Sequence, residues 1–421
     1  MLRAVDQGVD YPPDEADAPA PAEQRLSFPA WDKDRGKPVA DHVQNTKALL
    51  RYHEVQVRYN LMTHDLEVTI PGRQLASERR ANCTVDWVEN RAAEQGLSRA
   101  PIIKHLQELA TEYHPVRDWV DGKPWDGVDR VPQLMDSLEL AESADPELCA
   151  LLLRRWLRGA AAALWPDFEQ YFAAQGVLVL QGPQGHGKTR WLQNLVHERS
   201  WLLSGESLDP NNRDSTQRAT SVWLCELGEV DATFRKADVA ALKAFVTRTD
   251  DMYRSPYARR AERVMRRTVF VASVNDEQYL VDRSGNRRWW TLAVERCNPN
   301  HGVDMQQLWA QMLHEVVLDQ APWWLSEAEV DQLNNANHSH EQEDVMAGVL
   351  DEYWAVIQPG HEVGDFEWRP LSQICGALPQ FAQRLPSNAE MRRVTDALRD
   401  MGVHKKRGKL GMKYLLRRVA G

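Results

Sequence analysis

The sequence predicts an α/β protein. A phosphate-loop core of short parallel strands, covered on both faces, follows a smaller α+β or mostly helical unit and precedes a C-terminal unit in winged-helix order. Three observations predict this. Residues 182–189 fit GxxxxGK[ST] between an apolar run and a helical stretch. Short apolar runs alternate with helical spacing from about 177 to 274. A helix–helix–hairpin pattern rich in basic residues closes the chain.

The chain has 421 residues, with 51 Lys+Arg against 61 Asp+Glu and 43% hydrophobic residues. That length suits two or three domains, and that apolar content excludes a wholly disordered chain. The longest apolar runs, such as Ala160–Trp165, fall far short of the roughly 18–20 residues of a membrane span. The N-terminus lacks the apolar stretch of a secretory signal. The five cysteines (Cys83, Cys149, Cys225, Cys297, Cys375) contain no CxxC pair, which argues against a disulfide framework and against structural zinc. A soluble, cytoplasmic-type protein is expected. The net charge of −10 does not exclude a nucleic-acid partner, because the charge is uneven. Residues 401–421 hold seven Lys/Arg and no acid, and Arg254–Arg267 holds six arginines and one glutamate.

Taken in order, residues 1–40 are rich in Pro, Ala and acids and read as a disordered tail. Residues 41–140 read as the N-terminal unit and a connector. A helical start at Asn45–Tyr52 leads to alternating runs Val55–Tyr59 and Leu66–Ile70 about a turn at His64–Asp65. Helical spacing returns in Thr84–Glu94 and Ala100–Tyr113, and the Gly/Pro-punctuated stretch Pro115–Leu140 connects to the core. Residues 141–330 form the core unit: helical spacing over Ala144–Trp165, then strand-like runs at Val177–Leu180, Ser200–Leu203, Val222–Cys225 and Thr268–Val274. The polar segment from about 326 to 345 reads as a linker. Residues 341–421 form the last unit, with helices at Leu371–Ala377 and Asn388–Met401 and a hairpin turning near Gly408–Gly411.

The loop Gly182-Pro183-Gln184-Gly185-His186-Gly187-Lys188-Thr189 carries the chemistry. Such a loop wraps backbone N–H groups around a polyphosphate, Lys188 reaches the β/γ-phosphates, and the Thr189 hydroxyl ligates Mg²⁺. A helix beginning near Lys188 adds its positive end. ATP and Mg²⁺ are the expected ligands. Hydrolysis also needs a carboxylate at a neighbouring strand end. The run Val222–Cys225 ends at Glu226, with Glu229 three residues on; two solvated acids at a strand end would look the same. The next strand ends at Asn275, which suits an amide near the γ-phosphate or the lytic water, or equally a turn-forming Asn. Arg287 and Arg288, placed just before a strand, suit an arginine finger for a neighbour's nucleotide, or a solvated surface loop. Trp289 and Trp290 read as packing residues.

The order of phosphate loop, acidic strand end, basic stretch, strand-plus-Asn and paired arginines resembles the superfamily 3 helicase core, an AAA+-like ATPase of viral and plasmid replication proteins. Glu226-Leu-Gly-Glu229, Leu242-Lys243-Ala244-Phe245, Arg254-Ser-Pro-Tyr257 and Gly285-Asn-Arg-Arg288 look like the virulence-associated protein E family, encoded by phages and mobile islands. So do His114-Pro-Val-Arg-Asp-Trp119 and Trp125-Asp-Gly127. The resemblance covers about residues 100–300. It implies Lys188 and Thr189 as phosphate and Mg²⁺ residues, Glu226 as the acidic strand-end residue, Asn275 as a sensor and Arg287 and Arg288 as finger candidates. It also implies a homo-oligomeric ring, a hexamer, with Lys243 through Arg254 forming a pore loop against single-stranded DNA. One departure is that Leu227 follows Glu226 where many superfamily 3 members carry adjacent acids, which leaves two candidates, Glu226 and Glu229, for polarising water.

On the DNA side, Arg259, Arg260, Arg263, Arg266 and Arg267 read as a basic helix after Pro256, facing either DNA or a neighbouring subunit. In the C-terminal unit, Arg392, Arg393 and Arg399 lie on the expected recognition helix, and Lys405, Lys406, Arg407 and Lys409 on the wing. Together these readings predict an ATP-dependent DNA helicase or translocase serving replication of a phage or mobile element. No DxD-type carboxylate pair stands out in residues 41–115, so priming would need a separate primase or polymerase. Two rivals share the motifs: a P-loop ATPase that loads or remodels protein assemblies on DNA, and a nucleotide-switched DNA-binding initiator.

Overall fold

The computed structural model describes residues 26–73, 80–165, 172–228, 236–253, 262–275, 279–280, 286–340, 345–357, 366–381, 384–408 and 411–419. The N-terminal unit begins with a small hairpin, β1 (Trp31–Asp32) and β2 (Lys37–Pro38). Then follow α1 (Val43–Tyr52), β3 (Gln56–Asn60), β4 (Asp65–Thr69), α2 (Arg80–Glu94), α3 (Ile102–Leu109) and β5 (Thr111–Tyr113). The sheet runs β4-β3-β5, antiparallel then parallel. Leu49, Leu50, Val57, Val68, Val88 and Leu106 fill its core.

The connector folds as α4 (Pro115–Asp121), α5 (Val131–Met135) and β6 (Leu138–Leu140), and leads into α6 (Pro146–Ala162). The core then contains β7 (Val177–Gln181), α7 (Lys188–Gln193), β8 (Leu202–Glu206), α8 (Arg213–Thr220), β9 (Leu224–Leu227) and α9 (Lys236–Val246). A hairpin of β10 (Asp250–Tyr253) and β11 (Glu262–Met265) precedes β12 (Val269–Val274), β13 (Trp289–Cys297), α10 (Met305–Val317) and α11 (Glu327–Asn337). Its sheet runs β6-β13-β7-β12-β9-β8, in which only the β6 edge is antiparallel. Both faces are buried, as a parallel sheet requires. Leu178 and Leu180 pack towards α6 and α10, whereas the alternate residues Val177 and Val179 pack with Leu242, Phe245 and Phe270. Buried tryptophans lock the first face: Trp156, Trp223 and Trp309 donate their indole N–H to the carbonyls of Phe270, Ala160 and Leu195 at 2.9, 2.9 and 2.7 Å.

The C-terminal unit comprises α12 (Val345–Tyr353), β14 (Trp354–Val356), β15 (Glu367–Pro370), α13 (Leu371–Gly376), α14 (Asn388–Asp400), β16 (Lys405–Gly408) and β17 (Gly411–Arg418). Strand β17 pairs with β14, β15 and β16, all antiparallel. Leu350, Ile374, Leu398 and Leu416 close a separate small core. Among the described residues, no helix is long and apolar enough to cross a membrane.

Several expectations are corrected. Residues 26–40, read as tail, are anchored: the Asn45 side chain bonds Ala30 N at 2.9 Å, Ala30 O at 2.8 Å and Val39 O at 3.0 Å. Thr111–Tyr113 is a strand rather than a helix end, because it pairs with β3. The polar segment after 326 is helix α11, not a linker. Ser326 and Glu329 form a capping box at its start, and Asn337 near its end accepts from Thr291 Oγ1 and donates to the carbonyls of Asn286 and Trp289. The basic helix expected from Arg259 is, in its described part, strand β11, held by pairing Asp250↔Met265 to Tyr253↔Glu262.

Candidate functional site

Strands β7, β9 and β12 are parallel neighbours, so their C-terminal ends open on one side of the sheet. There the segment after β7 turns through the glycine-rich loop into α7. Two glycines are required by geometry. A Cβ on Gly182 would stand 2.0 Å from the Val294 carbonyl oxygen, and one on Gly187 (φ +90°) would stand 2.4 Å from that of Cys297. The loop is further tied to β13 by the Cys297 N to His186 O bond at 2.9 Å. Gly187→Ala is therefore expected to strain loop and strand together, by about 1–3 kcal/mol. Urea unfolding of the purified variant measures this; an unchanged midpoint would show that the loop relaxes freely.

A cleft of ≈ 500 Å³ sits over this loop, lined by residues from Gln184 to Arg190 and by Ser204, Gly205, Glu226, Ser273 and Asn275. The Lys188 side chain is buried, and its ammonium donates to the carbonyl oxygens of Gly182 and Pro183 and to Asn275 Oδ1, the last at 3.0 Å. Glu226 is 3% exposed. Its Oε1 accepts from Thr189 Oγ1 at 2.9 Å and Ser273 Oγ at 2.7 Å, while Oε2 is buried and has no hydrogen-bond partner among the described residues. A buried carboxylate oxygen beside a hydroxyl and a glycine-rich loop has the donor chemistry that a hard cation takes. Thr189 and Glu226 are thus the residues fitted to hold Mg²⁺, and Lys188 and the loop those fitted to a polyphosphate.

The structure brings Lys188, Thr189, Glu226 and Asn275 together with Gly182 through Gly187. Glu229 lies outside the described residues. Arg287 and Arg288 stand apart, immediately before Trp289, which pairs with Val177 at the start of β7. The length of β7 separates them from the loop, about 15 Å of strand. Arg287 is exposed and Arg288 half-buried; burial, and then Arg287 beside it, pushes the Arg288 guanidinium below its ordinary pKa. Neither reaches its own chain's glycine-rich loop. Ser273 is a site residue that motif spacing does not announce. Its signal is one hydroxyl in an otherwise apolar strand, Val269–Val274.

Of the DNA candidates, Arg254, Arg259, Arg260 and Lys409 lie outside the described residues. Lys243 is 7% exposed, so its side chain is buried rather than presented to solvent. Arg266 is no surface cation either. It is 1% exposed, donates to both carboxylate oxygens of Asp251 at 2.6 and 2.8 Å, and stacks over Phe245 at 4.4 Å. Lys405, Lys406 and Arg407 are exposed on the β16–β17 hairpin, with the Lys406 ammonium 4.0 Å from the Trp368 ring centroid. Arg392 and Arg393 are exposed on α14.

The virulence-associated protein E-like domain matches residues 120–342. No curated protein matches the sequence. Among solved structures, the apo C-terminal region of NrS-1 (305–718) is 12% identical over 89% of this chain and 98% of that chain, with a TM-score of 0.37. Two structures of an A form of that region are also 12% identical, each covering 89% of this chain and 99% of that one, with TM-scores of 0.37 and 0.35.

Proposed function

The chain belongs to the virulence-associated protein E-like family, and from that premise we propose an ATP- and Mg²⁺-dependent DNA translocase, a superfamily 3-like helicase acting in replication of a phage or mobile element. The observation that carries the proposal is the Glu226 carboxylate: one oxygen bonded to Thr189 and Ser273, the other open and buried under the phosphate loop. An ordinary Gly-rich turn has no use for such a group. The parallel strand order β13-β7-β12-β9-β8, with β12 between the loop strand and the acidic strand, supports an AAA+-like core.

In this reading the loop N–H groups and Lys188 bind the β- and γ-phosphates of ATP. Thr189 and Glu226 would hold Mg²⁺, which when bound would neutralise charge on the transferring phosphoryl group. Lys188 would exchange Gly182 O, Pro183 O and Asn275 Oδ1 for phosphate oxygens, and the released Asn275 amide would then be placed to report on the γ-phosphate. Glu229 is the candidate to orient water. Arg287 and Arg288 act on a neighbour's nucleotide, because their own is a strand-length away; head-to-tail repetition of that contact closes into a ring, a hexamer. The order α12, β15, α13, α14, β16, β17, with β15 pairing β17, supports a winged helix that lays Arg392, Arg393 and the basic hairpin on DNA.

The test is ATP turnover by the purified chain with and without single-stranded DNA. Turnover is expected to rise several-fold with DNA and to lose that increment as salt is raised. Turnover indifferent to DNA would sink the translocase and favour an ATPase that loads or remodels protein assemblies; no turnover with intact nucleotide binding would favour a nucleotide-switched initiator.

A further inference from the structure

The turn that carries the arginine pair is short. Asn286–Arg288 makes one turn of 3-10 helix directly before β13. A turn of that length has too few hydrogen bonds of its own to fix its place over the sheet. Side chains supply more. The Trp290 indole N–H donates to the Arg287 carbonyl at 3.0 Å. It can do so because of Gly176, where a Cβ would stand 2.3 Å from the same indole nitrogen. The Asn337 amide donates to the Asn286 carbonyl at 3.1 Å and to the Trp289 carbonyl at 2.9 Å. These two carbonyls bracket Arg287 and Arg288, so one amide closes the turn around both.

The amide is itself fixed. Asn337 is fully buried. Thr291 Oγ1 donates to Asn337 Oδ1 at 3.0 Å, so its own lone pair takes the Tyr279 O–H at 2.7 Å. This chain assigns the amide, with its oxygen to Thr291 and both N–H groups to carbonyls. Helix α11 is anchored in turn. Leu333 joins the core's apolar cluster, and Arg155 of α6 pairs with Glu329 at 2.9 Å and donates to the Pro322 carbonyl at 2.6 Å. Just past the helix, the His340 carbonyl accepts from Leu280 N at 3.0 Å. The arginine side chains are a contrast. Arg287 is exposed, and Arg288 Nε is buried with no hydrogen-bond partner among the described residues. No carboxylate among them offsets the burial and the Arg287 charge that hold the Arg288 pKa down. The backbone of the turn is thus tightly satisfied while its guanidiniums are not.

A rigid turn with two uncompensated cations suits an anion supplied from outside the chain. We propose that Asn337 is the positioning residue for the arginine pair. Its amide sets the place and direction from which Arg287 and Arg288 meet the nucleotide of a neighbouring copy. Asn337 touches no nucleotide and acts only through the turn. An amide does this where a hydroxyl or a carboxylate does not, since two carbonyls need two donors and Thr291 needs an acceptor from one side chain. The inference rests on the reading of the pair as a finger acting in trans; the clamp between α11 and the turn does not.

The test compares the full chain with Asn337→Ala, Thr291→Val and Arg287→Ala/Arg288→Ala, each first shown folded by its urea transition. Thr291→Val keeps the volume and the amide but removes the hydroxyl that orients it, and it decides the matter where Asn337→Ala does not fold. Asn337→Ala is expected to lower kcat for ATP by about tenfold or more, part of the roughly 10³-fold or greater effect of a missing finger. KM and the affinity for a fluorescent ATP analogue are expected to stay within about twofold of the parent. Thr291→Val is expected to lower kcat by about threefold. Co-expressing Asn337→Ala with Lys188→Ala, and purifying through a different tag on each, gives a readout that a purely structural tie would not move. One subunit keeps its phosphate loop and the other its arginine pair, so the mixed assembly is expected to regain roughly a quarter of the parent rate. Parent kcat in the folded Asn337 or Thr291 variant, beside a large loss in the arginine variant, would overturn the positioning role and leave the finger standing. No recovery in the mixed assembly would make Asn337 a structural tie and overturn it likewise. Parent turnover in Arg287→Ala/Arg288→Ala, or no assembly carrying both tags, would overturn the finger and the inference with it.

Discussion

Lys188→Ala is expected to lower ATP turnover by roughly 10²- to 10³-fold or more, the scale seen when one preorganised charge donor is removed from a reacting oxyanion. The ammonium is buried and donates to the Gly182 and Pro183 carbonyls and to Asn275. It is therefore held within the loop, where exchanging those partners would bring it onto a β/γ-phosphate. Glu226→Gln is the informative companion. Its Oε1 can still accept from Thr189 and Ser273, so the strand end keeps its shape, but the open oxygen loses its charge or becomes an amide. Lys188→Ala should lose nucleotide binding and turnover together, whereas Glu226→Gln should keep binding and lose turnover. Titration with a fluorescent ATP analogue beside a phosphate-release assay separates the two. Parent-level turnover in Lys188→Ala would remove the phosphate loop from the chemistry altogether.

The part of this site legible in the sequence is the part set by local spacing. Eight consecutive residues, an apolar strand before them and a helix after them fix the loop, and Gly182 and Gly187 are there for backbone approach that no other residue permits. Glu226 could be found as a strand-end acid, but its partner Ser273 is 47 residues away, and only sheet order makes them neighbours. Local pattern misleads where distant pairing disagrees with it. The arginines between 259 and 267 recur at near-helical intervals, yet β11 is fixed by antiparallel pairing with β10. Arg266 looks like a surface cation by charge alone, and its burial between Phe245 and Phe270 depends on Asp251 answering it. The Asn-rich stretch at 334–337 reads as linker, although its last Asn satisfies two carbonyls beneath the arginine pair. In each case the deciding interaction is non-local, and composition is silent about it.

Acid is expected to separate the N-terminal unit from the core well before the carboxylates titrate. Two histidines stand at this junction, where Met62 of the N-terminal unit also joins the core's apolar cluster. Burial, with Arg267 beside it and Asp251 only partly opposing, holds the His64 pKa down at about 4. Burial, Arg267, Arg117 and His64 hold His114 down at about 3, and His114 Nε2 is buried with no hydrogen-bond partner among the described residues. Both side chains are neutral in the folded chain and ordinary in the unfolded one. Between pH 6.5 and about 4 the unfolded state therefore binds protons that the folded state refuses, and stability falls as the pH falls. At pH 5 the loss is on the order of 2 kcal/mol for each histidine taken singly, and somewhat different for the interacting pair. Urea midpoints measured from pH 7.5 down to pH 5 should drop steeply for the parent chain, in the transition that reports the N-terminal unit. His114→Asn isolates the cause. His114 Nδ1 caps α4 by accepting from Arg117 N at 3.3 Å, and an Asn side chain can accept in the same place without titrating. The variant should therefore keep most of its stability at pH 7.5 and lose distinctly less on going to pH 5. A variant as acid-sensitive as the parent would move the cause to groups away from this junction.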